Sequence, residues 1–184
     1  MAGPVGGLDD GRPRPFSVCQ PDDSSMDERR RGFLAGERPS EVLLYLSDDA
    51  VDDPDRLAGA GGGERVDGGT VVVVDGERGR QAFAAATGVD AMSFAGRARG
   101  CDGDVRRNLT GGACPDDTSG EVDGENAGGE DAETGDDHHA RFLFAFVEAH
   151  QPDGQGLYAE GDVVHAYAQC SCGVAYSDRW VAED

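Results

Sequence analysis

The sequence contains no lysine and no isoleucine, although it carries sixteen basic and thirty-seven acidic residues. Every basic residue is therefore arginine, and the formal net charge is −21 over 184 residues. So many carboxylates on a small chain repel one another in ordinary buffer. Molar salt shortens the screening length from about 10 Å to about 3 Å and relieves this repulsion. Because the two missing residue types also indicate a GC-rich genome, we interpret the chain as adapted to high KCl in the cytoplasm of a halophilic archaeon.

Several function classes lack their usual signals. The longest apolar runs, such as residues 142–147, are far shorter than the roughly 20 residues that a membrane helix needs. The N-terminus has no apolar leader segment, so we expect a cytoplasmic protein without membrane contacts. Nucleic-acid binding has no support, because the only basic run is the short one at 29–31. No nucleophile-elbow or zinc-protease motif is present, so we lean against an enzyme, and the partners are unknown.

Two segments lack the apolar residues that a folded core needs. Residues 1–31 are rich in Gly, Pro, Asp and Arg and predict a disordered N-terminal tail. Residues 115–137 are dominated by Gly and carboxylates and predict a disordered acidic loop. The remainder, 32–184 with this loop inserted, has the length of a single domain.

The ordered part alternates between strand and helix patterns and then becomes entirely β. Apolar runs predict strands at 42–46, 71–74 and 142–147, although the residues before the first run could also cap a helix. Helices are expected at 55–60, 81–87 and 90–99, and the last part predicts a hairpin of 157–159 with 162–169 and a reversal at Gly173 into 174–176. This order predicts an α+β fold, with a mixed or antiparallel sheet, helices on one side and a C-terminal β-meander.

The Cys-Ser-Cys-Gly sequence at 170–173 is the sharpest chemical feature. Two thiols at a glycine turn resemble half of a zinc-ribbon site, although the usual half-site has two intervening residues and this one has one. Cys114, in a Gly/Pro turn, is the natural third ligand. The fourth could be Cys101, His138 or His139, whereas His165 faces away from Cys170 in a regular strand. The predicted metal ligands are Cys101, Cys114, Cys170 and Cys172, and the predicted cofactor is Zn²⁺.

Other interpretations of these residues stay open. The thiols could be ordinary core residues, since buried free cysteine behaves as a small hydrophobe. Cys170 and Cys172 could instead form a reducible disulfide in a thiol-redox enzyme. The loop at 75–80 could hold an anion on Arg78 and Arg80, although an ordinary connecting turn fits it better.

A resemblance extends over about residues 32–184, apart from the acidic loop. It is carried by the segments 33–38, 109–112, 157–162, 165–167, 170–173 and 176–180. In these segments the chain resembles an uncharacterised haloarchaeal family, a domain of unknown function. The resemblance implies no activity, no catalytic residues and no cofactor, and it agrees with adaptation to high salt.

Overall fold

Runs of β-branched and aromatic residues form most of a six-stranded sheet. The computed structural model describes residues 26–53, 55, 63–117 and 138–183. The strands of the sheet are β1 (Glu41–Ser47), β2 (Glu64–Val66), β3 (Gly69–Asp75), β6 (Ala140–Glu148), β7 (Val163–Cys170) and β8 (Ala175–Val181). Their order across the sheet is β2-β3-β1-β6-β7-β8, and every neighbouring pair is antiparallel. Two shorter strands, β4 (Asp104–Val105) and β5 (Gly112–Ala113), pair with each other in a second small sheet.

Among the described residues, three α-helices accompany the sheet: α1 (Met26–Leu34), α2 (Gly76–Thr87) and α3 (Ala91–Ala98). Short 3₁₀ helices span Asp48–Ala50 and Gly156–Ala159. Asp90 caps α3, with its carboxylate accepting a hydrogen bond from the Ser93 N–H at 2.8 Å, as expected for an N-cap aspartate. The predicted α+β class, with its C-terminal antiparallel strands, is confirmed. None of the described helices has the length and apolarity that a membrane span needs.

The two faces of the sheet are buried differently. On one face, α2 and α3 contribute Phe83 and Phe94, which pack against Phe142 and Phe144 of β6. The ring centroid of Phe83 lies 5.3 to 5.6 Å from the centroids of the other three phenylalanine rings, a favourable range for aromatic pairs. The opposite face holds Phe33 of α1 with other aromatic side chains, leucines and many Ala and Val, together with the two buried cysteines Cys114 and Cys170. We call these the helix face and the cysteine face.

The strands predicted at 42–46, 71–74 and 142–147 are confirmed as parts of β1, β3 and β6. The helix predicted at 90–99 is also confirmed as α3, whereas α2 begins at Gly76, five residues before the predicted start at 81. Residues 26–31 of the predicted tail lie in α1. Most of the helix predicted at 55–60, residues 1–25 of the tail and residues 118–137 of the acidic loop lie outside the described residues.

The strand predicted at 157–159 is wrong, because this segment is a 3₁₀ helix. Gly156, the first residue of this helix, has a φ of 63°, a left-handed conformation that turns the backbone away from the extended path. Strand β7 therefore pairs with β6 and β8 and not with this segment. The reversal predicted at Gly173 is confirmed, with a φ of 96° at that glycine.

Candidate metal centre

Four potential metal ligands from three separate segments meet at the end of β7. They are the sulfur atoms of Cys114, Cys170 and Cys172 and a ring nitrogen of His138, and all four atoms lie within 4.8 Å of one another. Two of the distances are 3.7 Å between the sulfurs of Cys114 and Cys172, and 3.4 Å between the Cys170 sulfur and His138 Nδ1. This set could bind a metal ion, since thiolate and imidazole are the usual ligands of tetrahedral sites.

The turn between β7 and β8 brings two of the thiols to one place. Cys170 is the last residue of β7, and its N–H donates to the Val174 carbonyl at 2.9 Å. The Gly173 N–H donates back to the Cys170 carbonyl, also at 2.9 Å, and Gly173 supplies the positive φ that closes the turn. Cys172 therefore projects from a tight turn directly beside the strand end that carries Cys170.

The other two ligands arrive from neighbouring elements. Cys114 directly follows β5, in a chain segment that reverses direction through Leu109, whose φ is 58°. His138 lies just before β6, where Ala140 pairs with Cys170 across the sheet. The Ser171 N–H donates a hydrogen bond to the His139 carbonyl at 2.8 Å, and this bond holds the two segments side by side. The group is therefore positioned by backbone pairing on both sides.

The thiols differ in exposure and in acidity. Cys170 is fully buried and Cys114 is nearly so, whereas Cys172 is exposed and His138 is partly buried. Burial raises the pKa of Cys170, but hydrogen bonds from the Cys172 N–H, the Ser171 hydroxyl and the neighbouring thiols bring it from 9.0 to about 7. Burial and the two neighbouring cysteines raise the pKa of Cys114 to about 12. Cys170 is therefore more acidic than Cys114, and a bound cation would favour the release of protons from both.

A buried tyrosine hydroxyl lies near the same thiols. Tyr176 of β8 is fully buried, and its Oη has no hydrogen-bond partner among the described residues. Burial raises the pKa of Tyr176, and the charges of Cys170, Cys114 and Cys172 raise it further. An unpaired buried hydroxyl is costly, but a phenol O–H can donate to a metal-bound thiolate. The hydroxyl lies close enough to the thiols for their charges to act on its pKa, although it does not hydrogen-bond to them in the structure. Sequence reasoning missed Tyr176, because no spacing relates it to the cysteines.

The structure brings together three of the four predicted ligands. Cys114, Cys170 and Cys172 lie in the group, and the fourth member is His138, one of the three residues considered for that place. Cys101 is not a member: it follows α3, where its carbonyl accepts from the Ser177 N–H and its side chain packs on the cysteine face. His139 instead contacts Asp49, with Nε2 at 3.1 Å from the carboxylate. His165 lies on the helix face, as predicted from the strand alternation.

The loop at 75–80 does not form an open anion cradle. Its residues 76–80 are the first turns of α2, and the carboxylate of Asp75 caps that helix. This carboxylate accepts from the Glu77 N–H at 3.0 Å and from the Arg78 N–H at 3.5 Å. The amides that would hold a phosphate are therefore already satisfied by the chain itself.

The chain belongs to a family of unknown function, DUF5807, whose model matches residues 63–183. The matched range contains all four residues of the metal group and every strand except β1. No curated protein and no solved structure matches the chain. Since the family has no assigned activity, function has to be argued from the arrangement of the side chains.

Proposed function

We propose that this protein is a non-enzymatic binding or structural module of the cytoplasm, stabilised by one zinc ion bound to Cys114, His138, Cys170 and Cys172. A metal at this position would join the β7–β8 turn, the entry to β6 and the end of β5. The cysteine face, where Ala and Val are frequent, gains from such a crosslink, because small side chains bury little apolar surface each.

The spacing of the ligand atoms carries the proposal. Zinc–sulfur bonds of about 2.3 Å at tetrahedral angles place two sulfurs about 3.8 Å apart, and a sulfur and an imidazole nitrogen about 3.6 Å apart. The corresponding distances are 3.7 Å for Cys114 and Cys172, and 3.4 Å for Cys170 and His138. A closed set of three thiolates and one imidazole is typical of structural zinc, whereas catalytic zinc keeps one position open.

A thiol-redox enzyme that uses Cys170 and Cys172 is the alternative. Its support is the acidity of Cys170, whose pKa of about 7 favours the thiolate. However, Cys170 is fully buried, and a reactive cysteine needs access to its substrate as well as a low pKa. Both cysteines are free thiols in the structure, and a third thiol and an imidazole lie beside them. The third thiol and the imidazole complete the four ligands of a tetrahedral metal site, whereas thiol exchange needs only the pair.

The metal content of the purified chain tests the proposal. The protein is prepared in molar KCl, and its bound metals are measured by mass spectrometry, which separates zinc from iron and copper. We expect one zinc per chain, and loss of that zinc in Cys170→Ser and in His138→Ala. The matched controls are Cys101→Ser and His139→Ala, which change the same residue types outside the ligand set and should keep the metal.

Absence of metal, or retention of zinc in both Cys170→Ser and His138→Ala, would contradict the zinc site. The redox alternative makes a different prediction for the same preparation: no metal, and a Cys170–Cys172 disulfide that forms with a mild oxidant and is reversed by a thiol reductant. Peptide mapping after alkylation distinguishes this disulfide from one that includes Cys114.

We also propose that the chain is of haloarchaeal origin and adapted to molar KCl. The support is its net charge of −21, carried without a single lysine. Removal of salt lengthens the range of repulsion among the carboxylates. The fold should therefore loosen as KCl is dialysed to low concentration, measured by circular dichroism with zinc held constant. An unchanged spectrum below 0.1 M KCl would overturn this adaptation and would leave the zinc proposal untouched.

A further inference from the structure

A cavity of about 510 Å³ opens on the helix face, beyond the point where α3 ends. Its floor consists of β6, β7 and β8, and its walls are the 3₁₀ helix Gly156–Ala159 and the segment after α3. That segment is attached to β8, since the Ser177 N–H donates to the Cys101 carbonyl and the Gly103 N–H donates to the Ser177 carbonyl. The volume lies within the range of small-molecule sites. We call it the arginine cavity.

Aromatic rings cover the floor of the arginine cavity. Phe146 and His165 are cross-strand partners, and their ring centroids lie 4.9 Å apart with the planes inclined by 15°. Tyr167 continues the row, its ring inclined by 14° to that of His165. Phe146 is only half-buried and therefore presents apolar surface to the cavity. Tyr158 lies against His165 from the wall, with its hydroxyl 3.3 Å from Nε2.

Two arginines line this cavity from different elements. Arg99 comes from the end of α3 and Arg179 from β8, and both are exposed. Among the described residues, neither forms an ion pair with a carboxylate. Burial lowers the pKa of His165, and the positive charges of Arg179 and Arg99 act in the same direction, whereas Glu148 opposes them by raising it. Both guanidinium groups are thus close enough to act on the ring at the centre of the floor.

Two of the three carboxylates that line the cavity have donors within the chain. Glu148 contacts His165 Nε2 at 3.1 Å and accepts from Gln151 Nε2 at 3.0 Å. Asp178 accepts from the Val105 N–H at 3.3 Å and from the Arg179 N–H at 2.7 Å. The third, Asp102, is exposed, and only its backbone is paired with Ser177. Glu148 and Asp178 therefore have donors within the chain. Arg99 bonds to the side chain of Tyr167, and each guanidinium group, with five N–H donors, keeps donor capacity for a ligand.

We infer that the arginine cavity binds a small organic anion, with its carboxylate or phosphate group held by Arg99 and Arg179 and its apolar part on Phe146. Guanidinium groups match oxyanions in geometry and can hold them through paired hydrogen bonds. The cavity lies on the opposite face of the sheet from the metal group and does not depend on bound metal. It would give the proposed binding module its ligand class.

Three probes of one shape test this inference: benzoate, benzamide and benzylamine. Their binding to the full chain is measured by saturation-transfer NMR and by calorimetry, at a KCl concentration where the chain is folded. We expect benzoate to bind at least about tenfold more tightly than benzamide, because only benzoate forms charge-assisted hydrogen bonds with both arginines. Arg99→Gln and Arg179→Gln should each weaken benzoate binding by about tenfold or more. The matched control, Arg97→Gln, changes an exposed arginine of α3 that does not line the cavity and should leave binding unchanged.

Inorganic phosphate distinguishes the two oxyanion classes. If phosphate displaces benzoate, the arginines accept both, and if benzoate resists displacement, the cavity selects carboxylates with an apolar body; either result supports the inference. Equal binding of benzoate and benzamide, preference for benzylamine, or no binding of benzoate and phosphate would overturn it. Since both arginines are exposed, their variants should fold, and unchanged circular dichroism verifies this for each.

Discussion

Strand β7 ends in two different environments. At Cys170 the side chains that meet are potential metal ligands: three thiols and an imidazole, with the unpaired Tyr176 hydroxyl nearby. Near the other end, at His165, Glu148 and Asp178 have donors within the chain, and the two arginines of the cavity form no ion pair with a described carboxylate. The first environment has what a metal needs and lies largely in the core, whereas the second is open to solvent. Metal binding at the Cys170 end should therefore change the stability of the fold. Ligand binding near His165 should fill the cavity with little effect on stability.

Loss of the metal should produce the largest effect and tests this contrast directly. Cys170→Ser should lower the free energy of unfolding by about 3 kcal/mol or more, because metal loss is among the most destabilising changes. For a chain of this size, that corresponds to a fall of roughly 6 to 12 °C in Tm. Arg179→Gln, at the other end of the strand, should change the free energy by no more than about 0.5 kcal/mol. Thermal unfolding followed by circular dichroism in molar KCl measures both.

Zinc itself separates metal loss from simple damage to the core. A chelator should lower the Tm of the wild-type chain, and added zinc should restore it. Neither should shift the Tm of Cys170→Ser. If the chelator leaves the wild-type Tm unchanged, or if Arg179→Gln destabilises the chain as much as Cys170→Ser, the two ends of β7 do not differ in their contribution to stability.

The cysteine end was largely predictable from sequence and the arginine end was not. The Cys-x-Cys spacing with Gly173, and Cys114 in its own turn, are local signals that predict three ligands. The choice of His138 over His139 depends on the pairing of Ala140 with Cys170, which is tertiary information. The arginine cavity draws on five segments, 99–103, 146–148, 157–158, 165–167 and 177–179, and no spacing within any of them indicates a site.

The same physical distinction holds for the fold. Strands β1, β3 and β6 were predictable, because runs of apolar β-branched and aromatic residues suit a sheet that is buried on both faces. Helix α1 was missed, since the sequence of Met26–Leu34 is mostly polar and resembles the tail before it. Its position is fixed instead by Phe33, which is fully buried on the cysteine face, and by ion pairs of Arg29 and Arg30 with Glu41 and Glu64. Contacts distant in sequence therefore decide this helix.

A smaller effect, but a sharper test, is expected from Tyr176→Phe. The substitution keeps the ring and removes only the hydroxyl, whose oxygen is buried and has no partner among the described residues. If the O–H donates to a metal-bound thiolate, its loss should weaken zinc binding by about 10- to 100-fold, as with other outer partners of metal ligands. Competition with a coloured zinc chelator measures this affinity.

The metal-free chain provides the control, because the sign of the effect should change there. Without metal, removal of an unpaired buried hydroxyl is expected to be neutral or slightly stabilising, since its desolvation cost disappears. Tyr176→Phe should therefore lower the Tm of the zinc-loaded chain and leave that of the chelated chain equal or higher. An equal loss in both forms would assign the hydroxyl to packing alone and would separate Tyr176 from the metal centre. This change of sign depends only on what happens at the Cys170 end, because Tyr176 lies on the cysteine face and does not line the arginine cavity.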